Sequence, residues 1–234
     1  AAVRSGIEPL WASEIEAFPI SVTQKRFPNM VHVGDITQLN GAELPPVDII
    51  CGGSPCQDLS VAGARAGLAG ERSGLFLEQI RIIKEMRYAD KQRGRPDILV
   101  RPRYGVWENV PGAFSSANGE DFKIVLQSFL QVEEPYLHVI GPETGRWEYT
   151  GAVLGVRSCV AWVTWDAQYL GVPQRRRRIF LITDFAGYSP IQILFIPDSL
   201  HGYPAASGGE GERSSDSAGG STEASGWDTK TGGQ

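Results

Sequence analysis

The chain has 234 residues, a hydrophobic fraction of 41% and a net charge of −5. That is enough apolar material for one large core, and it excludes a globally basic polyanion binder, so any nucleic-acid surface must be a local basic patch. No apolar run approaches membrane-spanning length. The three cysteines, Cys51, Cys56 and Cys159, with no secretory signal, point to a reducing compartment, the cytoplasm. The absence of an initiator methionine leads to the expectation that the chain was cut from something longer.

In chain order, apolar runs predict buried strands at 9–13, 31–34, 47–51, 104–107, 159–164 and 179–183. Leu75, Phe76, Ile80, Ile82, Ile83 and Met86 recur at helical spacing, as do Phe122, Val125, Leu126, Phe129 and Leu130. Asn118-Gly119-Glu120-Asp121 supplies the polar and acidic start of the second helix. Strands alternating with helices predict an α/β fold with a mostly parallel sheet. The segments near 95 and 145 read as surface loops. Residues 1–185 form the predicted domain. Residues 186–234 are expected to be a linker or disordered tail, most clearly from His201, where Gly, Ser and acidic residues dominate.

In such sheets ligands bind beyond the carboxyl ends of strands. "GGSPCQDLS", residues 52–60, follows the strand at 47–51 and places Cys56 on a tight loop. A cysteine near a strand end is ordinarily a buried small hydrophobe. Here Gly52 and Gly53 permit close approach and Pro55 stiffens the backbone, a setting suited to a nucleophilic thiol. Three histidines and three cysteines without zinc-like spacing argue against a metal site. "WENVPG", residues 107–112, puts Glu108 at a strand end, where partial desolvation suits a carboxyl that carries a proton; Asn109 can tie the loop by hydrogen bonds. A lone glutamate is more often a cap or half of a salt bridge. In "GVPQRRRRIF", residues 171–180, strand alternation sends Arg176 and Arg178 to one side and Arg175 and Arg177 to the other. Such a run is usually solvated surface, but at a strand mouth one pair can face the crevice, where guanidinium groups suit phosphate or base edges. Glu14 and Asp35 each follow a strand, where carboxylates can meet ribose hydroxyls.

With Pro55-Cys56-Gln57, Glu108-Asn109-Val110 and Gln174 to Arg178 in this order, the sequence resembles the cytosine-C5 DNA methyltransferases, in particular bacterial and phage-borne members, over roughly residues 1–185. The resemblance implies a Rossmann-like, S-adenosylmethionine-dependent methyltransferase sheet. It implies that Cys56 adds to C6 of cytosine, that Glu108 contacts N3 and the exocyclic amine, that Arg178 grips O2, and that Arg176 supports the loop bearing the cysteine. Glu14 and Ile15 would hold the ribose and stack on the cofactor, Asp35 and Ile36 would frame the adenine, and Pro55 and Leu75 would line its pocket. Gln57, Ser60 and Asn109 are the expected DNA contacts. The implied substrate is double-stranded DNA with one cytosine flipped out of the stack, and a restriction endonuclease of the same system is an implied partner.

The resemblance departs at both ends. The family's first strand and glycine-rich cofactor loop have no counterpart here, nor do the target-recognition domain and closing segments, and Ala62 stands where the family often has serine. The expectation for the 234 residues alone is therefore weak cofactor binding and little turnover. Alternatives are a catalytically inactive remnant that holds DNA through its arginines, one part of a split enzyme, and a tRNA cytosine-5 methyltransferase.

Overall fold

The computed structural model describes residues 5–54 and 74–195. They form seven strands and four α-helices: β1 (Trp11–Ser13), α1 (Ala17–Arg26), β2 (Val31–Gly34), β3 (Ile49–Gly52), α2 (Leu75–Gln92), β4 (Tyr104–Asn109), α3 (Glu120–Leu130), β5 (Thr150–Leu154), β6 (Cys159–Asp166), β7 (Arg177–Asp184) and α4 (Ser189–Leu194). No helix among the described residues is long and apolar enough to cross a membrane.

The α/β class is borne out, with a mixed rather than mostly parallel sheet. β1 and β2 form a parallel pair, and the remaining five strands run in the order β3-β4-β7-β6-β5. Only β3 and β4 are parallel within that sheet; β4–β7, β7–β6 and β6–β5 are antiparallel. Connectivity is the reason. Helices α1 and α2 separate the first strands and carry the chain back for parallel pairing, whereas no α-helix intervenes between β5 and β7, so short connections fold them as hairpins.

The core lies between one face of this sheet and helices α2 and α3. Trp107, Leu181 and Trp162 stand opposite one another across β4, β7 and β6 and are all buried. Helix α2 buries Phe76, Ile80, Ile83 and Met86, and α3 buries Phe122, Val125, Leu126, Phe129 and Leu130, the stripes the helical spacing predicts. Edge-to-face aromatic contacts add to the area buried: Phe114 on Phe122 at 4.8 Å, Phe122 on Trp162 at 5.4 Å and Trp147 on Trp162 at 5.7 Å. The segment near 145 is thus not merely a surface loop. Its Trp147 joins the core and leads into β5, where a Cβ on Gly151 would fall 2.4 Å from the Trp162 ring, so only glycine fits there. The β1–β2 pair is joined to α2 through Arg81, which donates to the carbonyls of Ile36 and Leu39 at 2.9 and 2.8 Å.

Ordered structure continues beyond residue 185, the predicted end of the domain. In α4, Pro190 and Leu194 are buried, and Ser189 Oγ donates to Asp184 Oδ2 at 2.6 Å. A helix of six residues leaves too short a periodic signal to stand out from a polar tail.

Several carboxylates fasten the edges of this core. Burial alone would raise Asp90, Glu134 and Asp184, but in each case hydrogen bonding outweighs it and holds the carboxyl below its ordinary value: Arg101 on Asp90, Ser158 with the Val156–Ser158 amides on Glu134, and Arg103 with Ser189 on Asp184. A group held below its unfolded value stabilises the fold above the unfolded pKa and loses that contribution as pH falls through the folded one. Urea midpoints are therefore expected to be flat from pH 7 to about 5 and to fall below about pH 4, with a shallower acid limb in Asp184→Asn.

Candidate active site

β3 and β4 run parallel, so their carboxyl ends lie together, and antiparallel β7 brings its first residues to the same end of the sheet. Glu108 stands opposite Phe180, and Asn109 opposite Ile179. Strand alternation places Arg178 on the face of Phe180 and hence of Glu108. Arg178 Nε lies 3.0 Å from Glu108 Oε1, and an Arg176 guanidinium nitrogen 3.8 Å from the same oxygen. Arg177 stands opposite Asp166 on the other face, 3.6 Å from its carboxylate. The predicted sorting of alternate arginines is therefore present for Arg176, Arg177 and Arg178. Glu108 is not an isolated desolvated carboxyl: its side chain is 38% exposed and shared by two guanidinium groups.

The chain leaving β3 passes beside this cluster. A Cβ added at Gly53 would meet Glu108 Oε2 at 3.4 Å, so a bare backbone lies against the carboxylate. Ser54 is held by two residues on one face of β4. Trp107 Nε1 donates to its hydroxyl at 3.2 Å and Asn109 Nδ2 to its carbonyl at 2.9 Å. Asn109 Oδ1 also accepts the Val110 amide at 2.8 Å. With both ends of its amide engaged and the residue 5% exposed, Asn109 ties the loop to β4, the hydrogen-bonding role its place in the motif allows. Beneath, Gln79 Nε2 donates to the Val106 carbonyl at 3.1 Å, and its Oε1 lies 2.2 Å from where a Cβ on Gly52 would be. Trp107, Asn109 and Gln79 thus fix the point at which the chain sets out toward Cys56. Pro55, Cys56, Gln57 and Ser60 lie outside the described residues.

The other two cysteines are poor nucleophiles. Cys51 sits on β3, and burial of its thiol pushes it above the ordinary value, although the residue as a whole is exposed. Cys159 is fully buried opposite Asp184 and is pushed up to about 11, first by burial and then by that carboxylate. A thiol displaced upward carries little thiolate at neutral pH.

The carboxyl ends of β1 and β2 hold the second group of predicted residues. Glu14 follows β1 and accepts the amides of Ile15 and Glu16 at 2.8 and 3.0 Å. Asp35 follows β2 and accepts the Thr37 amide at 2.9 Å. Ile15 is 69% exposed beside Glu14, and Leu75, at the start of α2, is 40% exposed. Ile36 packs in part on the core. Two carboxylates at adjacent parallel strand ends, with an uncovered apolar side chain beside one of them, fit the ribose hydroxyls and the flat ring of a nucleoside cofactor.

Gln79, Ser54, Trp107 and Asp166 belong to this arrangement and were not singled out by sequence. Gln79 left one signal, a polar residue within the apolar stripe of α2. The hydrogen bonds of Trp107 and Ser54 link different strands and have no local signature.

The profile of the family described as C-5 cytosine-specific DNA methylase matches residues 1–185. Among individual proteins, the chain is 34% identical over 212 residues to a protein of Escherichia phage P1 named DNA N-6-adenine-methyltransferase, covering 81% of this chain and 27% of that one. It is 30% identical to the orphan methyltransferase M.Rho11sI of Bacillus phage rho11s, over 65% of this chain and 23% of that one. To the type II methyltransferase M1.ScrFI of Lactococcus lactis subsp. cremoris it is 28% identical, over 80% and 39%. The chain therefore spans between about a quarter and two fifths of the length of these relatives. With the family profile covering the whole sheet and the convergence of Glu108, Arg176 and Arg178, the chain belongs to the C-5 cytosine-specific DNA methylase family.

Proposed function

We propose that the protein containing this chain transfers a methyl group from S-adenosylmethionine to C5 of cytosine in double-stranded DNA, in the cytoplasm. The observation that carries this reading is the pairing of Glu108 with Arg178 and Arg176 beside the tethered start of the loop that bears Cys56. Carbon 5 of cytosine is a weak nucleophile, and the residues supply what raises its reactivity. The Cys56 thiolate adds to C6, and the electron pair of the C5–C6 bond moves toward C5. Glu108 meets N3 and the exocyclic amine, and Arg178 meets O2, so that charge developing on the ring is neutralised where it forms. S-adenosylmethionine, when bound, supplies the electrophilic methyl group that C5 takes. A base then removes the C5 proton, the C5–C6 double bond reforms, and Cys56 leaves as thiolate. Glu14, Asp35 and Ile15 would hold the ribose and adenine, with Ile36, Pro55 and Leu75 lining the pocket. Gln57 and Ser60 are the proposed contacts to DNA from the cysteine loop.

The name of the phage P1 relative supplies a second reading, methylation at N6 of adenine. Methylating an exocyclic amine needs no covalent nucleophile, so that reading leaves Cys56 and the arginine pair without a task. The test is product analysis. The chain, alone and joined to the flanking segments of the P1 relative, is incubated with labelled S-adenosylmethionine and either duplex DNA or tRNA, and the nucleosides are separated. Label in 5-methyl-2′-deoxycytidine is expected, lost in Cys56→Ser. Label in N6-methyl-2′-deoxyadenosine, or only in tRNA, would replace the reading.

A further inference from the structure

Asp166 ends β6 and is 8% exposed, and four donors converge on it. Its Oδ1 accepts the backbone amides of Gln168 and Arg176 at 3.2 and 2.9 Å. Its Oδ2 accepts Gln168 Nε2 at 3.1 Å and lies 3.6 Å from Arg177 Nε. The Ala167 amide donates to the Arg176 carbonyl at 3.0 Å, so the connection between β6 and β7 is closed at its neck by one carboxylate and one backbone bond.

That neck decides where the arginines go. Pleating gives each arginine a face, but the side chain is long, and Arg177 is 62% exposed, so its stem can bend toward either face. Arg175 and Arg176 are exposed as well. Neighbouring guanidinium groups repel one another and are drawn to the same carboxylate or phosphate. Asp166 is directly opposite Arg177, on the face away from Glu108, and supplies the competing anion. It also fixes the amide of Arg176, which sets the direction from which that side chain approaches Glu108. With its oxygens occupied and its position on the other face of the sheet, Asp166 has no reach to a base held by Glu108.

We propose that Asp166 is a positioning residue that sorts the arginine run: it directs Arg176 and Arg178 to Glu108 and the target base, and withholds Arg177 from the nucleic-acid backbone. This rests on the cytosine-methylation reading for the role of Glu108, but its test does not. The nitrogen-15-labelled chain and its Asp166→Asn variant, which keeps an acceptor for the two amides, are compared by the Nε–H signals of their arginines and by the salt needed to elute each from heparin. In the parent, the Arg177 and Arg178 signals are expected to be protected from exchange. In Asp166→Asn, the Arg177 signal is expected to exchange at least about tenfold faster, the Arg178 signal to persist, and the elution salt to rise. Adding Arg177→Gln to Asp166→Asn reverses the rise, whereas Arg177→Gln in the parent changes retention little, because that charge is already neutralised. Loss of both arginine signals in Asp166→Asn would reduce Asp166 to a structural cap. An unchanged Arg177 signal, or an equal loss of retention on removing Arg177 from parent and variant, would overturn the sorting. Failure of the cytosine reading appears separately, in the nucleoside analysis alone.

Discussion

Glu108→Gln is expected to slow single-turnover methyl transfer to cytosine by about 10²- to 10⁴-fold, the range for removing a proton-transfer partner from a positioned site. The substitution is isosteric, so the Gly53 backbone still lies against it and β4 still pairs with β7. What disappears is the charge shared by Arg178 at 3.0 Å and Arg176 at 3.8 Å, and with it the carboxylate proposed to meet N3 of the base. The stability effect should be small. Glu108 is 38% exposed and Arg176 50% exposed, and pairs of that exposure contribute about 0–1 kcal/mol. A large kinetic loss with a urea midpoint near that of the parent is the expected combination. Arg178→Lys should fall in the same direction, because an ammonium cannot hold a carboxylate and a base edge with one planar fork. If Glu108→Gln transferred methyl groups at the parental rate, the carboxylate would be a structural partner of the arginines and nothing more.

The largest stability loss is expected at Arg87, remote from that chemistry. Its side chain is 2% exposed. The guanidinium donates to Glu133 Oε1 at 2.7 Å, to the Val100 carbonyl at 2.8 Å and to the Pro102 carbonyl, and lies over the Phe185 ring at 5.0 Å. It therefore joins α2, the segment after α3 and the approach to β4 at one point. Arg87→Ala leaves two buried carbonyls without this donor and Glu133 with Lys91 as its remaining basic partner. Breaking a buried pair from one side costs about 3–5 kcal/mol; the retained lysine puts the expectation near about 3 kcal/mol, read from urea midpoints. Arg95 provides the contrast. It pairs with Asp90 at 3.2 Å but is 38% exposed, and Asp90 keeps Arg101 at 3.1 Å, so Arg95→Ala should cost no more than about 1 kcal/mol. Equal losses in the two variants would contradict the weight given to burial.

Much of the site was legible because its logic is local. A strand that ends in Glu108, a glycine pair after β3, and arginines whose faces alternate can each be read from a few consecutive residues. The predicted strand at 31–34 coincides with β2, and Glu14 and Asp35 do follow parallel strands. Around 47–51 the pairing begins later than the apolar run, because the Asp48 carbonyl accepts the amides of Arg103 and Tyr104 before β3 starts at Ile49. The elements that stayed hidden have weak patterns. Helix α1 buries no residue and carries Pro19 in its first turn. In β5 every second residue is exposed, and Gly151 owes its place to a tryptophan eleven positions along the chain. Asn109 shows how far a motif reads by itself: its place after the strand allows it to tie the loop, but that its partner is Ser54, 55 positions earlier, has no local signature.

Covalent trapping tests the central claim most directly. The chain, alone and joined to the flanking segments of the phage P1 relative, is mixed with S-adenosylmethionine and duplex DNA carrying 5-fluorocytosine. Fluorine at C5 cannot leave as the proton does, so the adduct persists after methyl transfer and is seen as a shifted band under denaturing conditions. A stable adduct whose peptide map ends at Cys56, absent in Cys56→Ser and strongly reduced in Glu108→Gln, is the predicted result. Methyl transfer to DNA with no adduct, or an adduct that survives Cys56→Ser, would contradict it.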